Sequence, residues 1–191
     1  MAHMKVTPVM RALIFPFLFS LLLGSCTSLP LPNTPEKSLL VLPCDISLVH
    51  VDKGPQLVGL TIRMVRQTDK KELSLSIPLQ KKYATFAIDP GSYTFTTVTL
   101  LHGWFDGGKM WNTWEDTWRL GTGVYIEQQT ILLNPLLVKY YDRADPNTGW
   151  DFSFWQSALT GDRGAVILAA MKKDSHWQAW EGYQMVNFPT E

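Results

Sequence analysis

Apolar and polar residues alternate through much of the chain, and this period of two limits the possible folds more than any other sequence feature. Every second residue is apolar from Val58 to Met64 and again from Leu73 to Leu79. Successive side chains of a strand point to opposite faces, so both runs predict half-buried strands. The polar stretch Thr68–Glu72 between them has the length of a hairpin loop. We therefore predict a mainly β protein with a single antiparallel β-sandwich-like domain.

Turn residues and phase changes divide this domain further. The sequence Asp89-Pro90-Gly91-Ser92 places Pro and Gly where a β-turn favours them, and it predicts a positive φ at Gly91. The apolar phase slips between Phe95 and Val98, which predicts a β-bulge or a bend between sheets. Pro78 cannot donate to a sheet ladder, so its strand should end there or lie at a sheet edge.

The segment Phe86-Ala87-Ile88-Asp89-Pro90-Gly91-Ser92-Tyr93-Thr94-Phe95 resembles the hairpin of transthyretin-like and PEGA-like β-sandwich modules. The resemblance covers residues 56–100. It implies a sandwich and assigns no functional residue.

The C-terminal part combines strand and helix signals. We predict one β-rich domain over residues 38–191, with residues 146–191 as a C-terminal extension packed on it. Within this extension, residues 165–173 contain alanines, Met171 and two lysines, which favour a small helix with Asp162 as N-cap. The hairpin-like stretch 160–164 before it favours a strand instead.

The N-terminus has the pattern of an export signal. Lys5 and Arg11 precede an uncharged apolar run from Ala12 to Leu23, which is shorter than the roughly 20 residues that span a bilayer. Residues 1–25 therefore fit a cleaved signal peptide. An ordinary secreted protein and a buried helix are the alternatives.

The end of this run, Leu23-Gly24-Ser25-Cys26, resembles the lipobox of bacterial lipoproteins. The resemblance implies cleavage before Cys26, its lipidation, and attachment of the protein to a membrane of the bacterial cell envelope. Thr27 at the next position implies the outer membrane in a bacterium that has two. Residues 26–37 contain three prolines and no apolar period, so we expect a lipidated cysteine followed by an extended tether.

Charge and cysteine content exclude several function classes. Without residues 1–25 the chain has 15 basic and 17 acidic residues, which provide no basic field for nucleic acid. Lipidation of Cys26 leaves Cys44 as the second of two cysteines without a disulfide partner, and its apolar surroundings predict a buried, unreactive thiol.

No motif for catalysis or cofactor binding is present in the sequence. The histidines His50, His102 and His176 lie in unrelated segments, without the paired spacing of a zinc site, and the chain has no Gly-rich phosphate loop. His50 alternates with apolar residues, which is more typical of a core or rim position. We expect no cofactor, no metal and no catalytic residues, although a catalytic triad can assemble from distant segments.

Residues 104–118 are the most unusual part of the chain, with four tryptophans among fifteen residues. Indole faces beside carboxylates and amides are suited to sugar rings, whose C–H faces stack on the indole. The other interpretation is that the indoles close one end of the sandwich as part of its core. The candidate ligand-binding residues are Trp104, Asp106, Trp111, Asn112, Trp114, Glu115 and Trp118, and Asp116 is a further acceptor among them.

Three functions are compatible with these features. The first is a non-catalytic envelope lipoprotein that serves as a structural or protein-interaction module. The second is a glycan-binding module that uses residues 104–118, and the third, more remote, is an envelope hydrolase. Buried tryptophans would favour the first and a solvent-facing row the second. A cleft that joins His102 or His176 to a carboxylate and a hydroxyl would favour the hydrolase.

Overall fold

The protein folds into two β-sheets and one short layer of helix. The structure is a computed structural model that describes residues 28–48, 53–145 and 149–188, with the backbone alone described for residues 142–145 and 149–155. Cys26 and His50 lie outside the described residues. No helix within these ranges is long and apolar enough to cross a membrane.

Eleven strands and one α-helix make up the described chain. In chain order they are β1 Ser38–Ser47, β2 Lys53–Arg66, β3 Glu72–Ser76, β4 Tyr83–Ile88, β5 Gly91–Asp106, β6 Lys109–Arg119, β7 Gly123–Ile126, β8 Thr130–Leu133, β9 Leu136–Asp145, β10 Gly149–Ala158, α1 Gly161–Met171 and β11 Gln184–Val186. A short 3₁₀ helix, Trp177–Trp180, lies between α1 and β11. The prediction of a mainly β domain with a small C-terminal helical segment is confirmed.

The five-stranded sheet is antiparallel throughout. Its order is β3-β2-β5-β6, and β7 pairs with the first residues of β5. Because Thr97 pairs with Arg63 and Phe95 with Met64, one residue of β5 is left over at Thr96. This irregularity is the bulge that the phase slip predicts. β3 is an edge strand and ends at Ser76, two residues before Pro78, as predicted.

The six-stranded sheet is mixed. Its order is β10-β9-β1-β8-β11, with β4 antiparallel to the first half of β1. Three of its strand pairs are parallel, namely β1 with β8, β1 with β9, and β8 with β11. The sequence pattern predicts antiparallel pairing only, because period-two alternation has no information on the relative direction of distant strands.

The strand β1 is buried on both faces, which explains the uninterrupted apolar run at its start. Leu40, Leu42 and Cys44 point into the core between the two sheets. Leu39 and Val41 point the other way, into a second core beneath α1 and the 3₁₀ helix. The molecule therefore has three layers, in which the six-stranded sheet lies between the five-stranded sheet and the helical layer.

The Pro-Gly turn connects the two sheets and is not a hairpin. β4 pairs with β1 in one sheet, whereas β5 pairs with β2 in the other. Gly91 has a φ of 143°, so the positive φ is as expected. The Tyr93 hydroxyl donates a hydrogen bond of 2.8 Å to the Asp89 carbonyl and fastens the corner. The resemblance to a Pro-Gly hairpin thus holds for the sequence but not for the strand pairing.

Two predicted segments are placed differently in the structure. Residues 149–158 and 184–186 form strands of the six-stranded sheet, so the C-terminal part is integral to the domain because its backbone completes that sheet. In the predicted tether, Leu29 is buried and residues 28–35 lie against the domain. The helix over 161–171 agrees with the helical prediction, but its N-cap is Thr160, and Asp162 lies in the first turn.

Candidate functional site

The tryptophan-rich segment, residues 104–118, comprises the last residues of β5, the turn and nearly all of β6. Asp106 pairs with Lys109 across the two-residue turn Gly107-Gly108, whose φ angles of 57° and 75° are both positive. Such turns match the twist of the flanking strands and favour glycine at both positions. The hairpin places Trp104 on β5 and the other three tryptophans on β6.

One face of the hairpin turns towards the six-stranded sheet, and we call it the inner face. Along β5 its side chains are Val98, Leu100 and His102, all fully buried, followed by Trp104, which is 39% exposed. The hairpin therefore extends beyond the core. Residues opposite each other in an antiparallel pair share a face. The inner face of β6 consequently bears Trp118, Asp116, Trp114 and Asn112, opposite Val98, Leu100, His102 and Trp104.

The tryptophans are not core residues. Trp111 is 71% exposed and Trp118 is 37% exposed, while Trp114 is half-buried. The interpretation that the indoles close the sandwich is therefore wrong for Trp104, Trp111 and Trp118. The reason is that β6 is an edge strand paired with β5 alone among the described strands, so its inner face has less of the opposite sheet above it.

The hairpin brings together only part of the predicted set. Trp104, Asn112, Trp114 and Trp118 share the inner face, and Trp111 is the extra residue of a bulge, because Trp104 pairs with Asn112 and Phe105 with Met110. Glu115 lies opposite Leu101 on the outer face. Asp106 is at the turn, 3.5 Å from the Lys53 ammonium group. Glu115 is therefore on the opposite face from Trp104, Trp114 and Trp118, which we call the indole row.

A buried histidine, His102, lies against one tryptophan of the indole row. His102 is fully buried, and its ring centroid lies 5.2 Å from that of Trp114. Its Nδ1 atom is 3.2 Å from Oδ2 of Asp116, and its Nε2 atom is 3.3 Å from the Tyr140 hydroxyl. A carboxylate beside Nδ1 favours the tautomer with a proton there, so that Nε2 accepts from Tyr140. The network connects β5, β6 and β9.

The surroundings of His102 make its neutral form the stable one. Burial lowers the pKa of His102, and the Asp116 carboxylate partly opposes this effect. The sequence contains all three residues, but Tyr140 is 38 positions from His102, and no local pattern predicts their contact.

This network has the residue types of the proton relay of a hydrolase, but His102 has no solvent-exposed surface. The surface clefts of about 370 and 300 Å³ in the described structure lie elsewhere, and His102 borders neither. The larger one is lined by residues 28–30, 76–78 and 81–86. The His102 imidazole is fully buried and contacts Trp114, Asp116 and Tyr140, which connect the hairpin to the other sheet.

His176 and Cys44 also have structural surroundings. The Nδ1 atom of His176 is 2.7 Å from the Leu29 carbonyl oxygen, to which it donates. Cys44 is a free, buried thiol as predicted, and burial raises its pKa to about 12. Within the described ranges, no group of three His, Cys, Asp or Glu side chains is arranged to hold a metal ion.

The chain was compared with protein family models, with curated proteins and with solved structures. No protein family model, no curated protein and no solved structure matches the chain.

Proposed function

We propose that the chain is a lipid-anchored, non-catalytic protein of the bacterial cell envelope that binds carbohydrate with the tryptophans of its β5–β6 hairpin, namely the inner-face residues Trp104, Trp114 and Trp118 and the bulge residue Trp111. The observation that supports this most is the solvent exposure of three of the four tryptophans, of which Trp104 and Trp111 lie near the turn of the hairpin and Trp118 near the other end of β6. Exposed apolar surface on a soluble domain often marks a binding site.

The spacing of the row suits an extended sugar chain. Alternate residues of a strand are separated by about 6.6–6.8 Å, so Trp114 and Trp118 are about 13 Å apart along β6. Asp116 lies between them on the same face and Asn112 beyond Trp114. The indoles offer stacking surfaces, and these two side chains offer acceptors and donors to hydroxyl groups.

The proposed membrane anchor is a lipidated Cys26, which lies outside the described residues. The lipobox-like sequence implies three acyl chains, and since one chain alone binds a membrane only marginally, several are needed for a lasting attachment. The Cys26→Ser variant of the full chain should lose acyl labelling and leave the membrane fraction. Labelling that persists in that variant would contradict the anchor.

Binding is tested by calorimetric titration of the protein with soluble peptidoglycan fragments and envelope polysaccharides. We expect at least one of these glycans to bind and Trp111→Ala to weaken it about tenfold, which corresponds to about 1.4 kcal/mol. The matched control is Tyr125→Ala, because Tyr125 is a 65% exposed aromatic residue on β7, away from the hairpin end. Equal affinities of wild type and Trp111→Ala, or no binding at all, would contradict the carbohydrate proposal.

A protein-interaction module is the second candidate, and one observation favours it. Among the described strands β6 pairs with β5 on one side only, so its other edge offers unpaired backbone groups to an extended peptide. Capture of an envelope protein that is lost on Thr117→Pro, with Trp111→Ala unaffected, would favour this candidate over glycan binding.

A further inference from the structure

Three side chains fasten the N-terminal segment to the C-terminal part of the domain. Asp174 accepts a hydrogen bond of 3.0 Å from the Leu29 N–H, and His176 donates to the Leu29 carbonyl at 2.7 Å. The Trp180 indole N–H donates to the Pro30 carbonyl at 2.8 Å. Leu29 itself is buried in the core beneath α1. The described chain therefore begins on the helical layer of the molecule.

After a first turn that contains the exposed Asp162 and the half-buried Arg163, the helix of this layer is apolar on both faces. Gly164, Ile167, Leu168 and Met171 point into the core. Ala165, Val166, Ala169 and Ala170 point outwards and are exposed, with Val166 at 57%. An apolar outer face of this length is typical of a helix covered on both sides, whereas an exposed helix normally has a polar outer face.

Two basic residues follow this apolar face, and the N-terminal segment adds an exposed leucine. Lys172 and Lys173 follow α1 directly and are exposed. Leu31 is 52% exposed and comes two residues after the fastened Leu29. Apolar side chains next to lysines are the composition of protein surfaces that lie in the interface of a lipid bilayer, where lysines meet anionic headgroups.

We infer that the helical layer, consisting of residues 28–35, α1 and Lys172-Lys173, is the surface with which the protein lies on an anionic bilayer. The inference rests on the anchor of the proposed function, because Cys26 is two residues before Ser28. Two peptide units span at most about 7 Å, so the lipid attachment point cannot be far from this layer. The β5–β6 hairpin belongs to the sheet on the opposite side of the molecule and is then turned away from the membrane.

A fluorescent label on the outer face of α1 tests the inference. Cys44 is buried and a lipidated Cys26 has no free thiol, so Ala169→Cys gives one labelling site in the full chain. The protein is reconstituted in vesicles of phosphatidylethanolamine and phosphatidylglycerol. We expect a blue-shifted emission and quenching by spin-labelled lipid. Ser74→Cys, exposed on β3 of the other sheet, is the matched control and should show neither.

The lysines are tested without the lipid anchor. In the Cys26→Ser chain, Lys172→Gln with Lys173→Gln should weaken binding to the same vesicles about thirtyfold, as expected for two lysines at a charged bilayer. Lys70→Gln with Lys71→Gln in the β2–β3 loop is the control pair and should change binding less than twofold. Equal losses for both pairs would contradict the inference.

The remaining outcomes distinguish a failure of this inference from a failure of the lipid anchor. A label at 169 that stays in water in the acylated, vesicle-bound protein overturns the inference and leaves the anchor intact. A shift that needs no vesicles and grows with protein concentration shows that a second copy covers α1, which also overturns it. If the chain takes up no acyl group, the proposal of a lipid anchor is wrong. The labelled chain is then mixed with the vesicles. A blue shift of the label at position 169 supports the inference, and an unchanged emission overturns it.

Discussion

His102 and Asp116 lie side by side on the inner face of the β5–β6 hairpin, with Nδ1 of the histidine 3.2 Å from Oδ2 of the carboxylate. The histidine is fully buried and its Nε2 is 3.3 Å from the Tyr140 hydroxyl of the other sheet. The hairpin that exposes the tryptophans is therefore tied to the six-stranded sheet by a polar contact, and this contact depends on the charge of the imidazole.

The pKa of His102 makes stability depend on pH. Burial lowers this pKa below that of the unfolded chain, about 6.5. When the pH falls below about 6.5, the unfolded chain takes up a proton that the folded protein does not, so the free energy of unfolding decreases until the folded-state pKa is passed. We expect urea midpoints to fall from pH 8 to pH 5.

Two variants isolate this contribution from other titrating groups. His102→Gln should reduce the pH dependence, because glutamine does not titrate. Asp116→Asn should steepen it, because the carboxylate that raises the His102 pKa is removed. Identical pH profiles for wild type and His102→Gln would show that His102 does not contribute.

Exposure of Trp111 and burial of Trp180 predict opposite effects of the same substitution. Trp111→Ala should change the free energy of unfolding by no more than about 0.5 kcal/mol, as is usual for surface positions. Trp180, the last residue of the 3₁₀ helix, is fully buried, and Trp180→Ala should cost about 3–5 kcal/mol through the cavity and the lost hydrogen bond to Pro30. Melting curves of both variants test this. Strong destabilisation by Trp111→Ala would contradict the conclusion that Trp111 is a surface residue.

Gly91 is predicted to resist a β-branched replacement. Its φ of 143° lies in a region that side chains rarely adopt, and an added Cβ would be 3.6 Å from Cδ of Arg66. Since space is sufficient, the cost of Gly91→Val is backbone strain of about 1–3 kcal/mol. Gly107→Ala is not a suitable control because its φ is also positive, whereas Gly121→Ala has open space and no such φ. Equal denaturation midpoints for Gly91→Val and Gly121→Ala would contradict the prediction.

The hydrogen bonds at Leu29 predict that the N-terminal segment is protected. Asp174→Ala leaves the Leu29 N–H without its acceptor, which should cost about 1–3 kcal/mol. Hydrogen exchange at Leu29 should then accelerate more than exchange in β5. Unchanged protection at Leu29 would mean that the segment is held by its apolar side chain alone.

Cys44 is predicted to be unreactive in the folded protein. Because burial raises the pKa of its thiol to about 12, almost no thiolate is present at pH 8. In the Cys26→Ser chain, iodoacetamide should therefore modify Cys44 only after unfolding in urea. Rapid modification of the native chain would show that the strand β1 opens.

Local patterns determined the strands, the turn and the bulge, because these depend on the character of near neighbours. The alternation from Val58 to Met64 was sufficient for β2, and the phase slip after Phe95 for the bulge at Thr96. Burial of Cys44 followed from its apolar surroundings, which the double-sided burial of β1 explains.

Only the tertiary structure decided which strands pair, which indoles are exposed and where the N-terminal segment lies. The parallel pairs of β1 join segments that are about 90 residues apart. The hydropathy pattern does not indicate whether two distant strands run in the same or in opposite directions. A tryptophan in a strand is equally compatible with core and solvent until the extent of the opposite sheet is known. The contacts of Leu29 with Asp174 and His176, and of His102 with Tyr140, depend on backbone positions that arise only when both sheets and the helical layer have assembled.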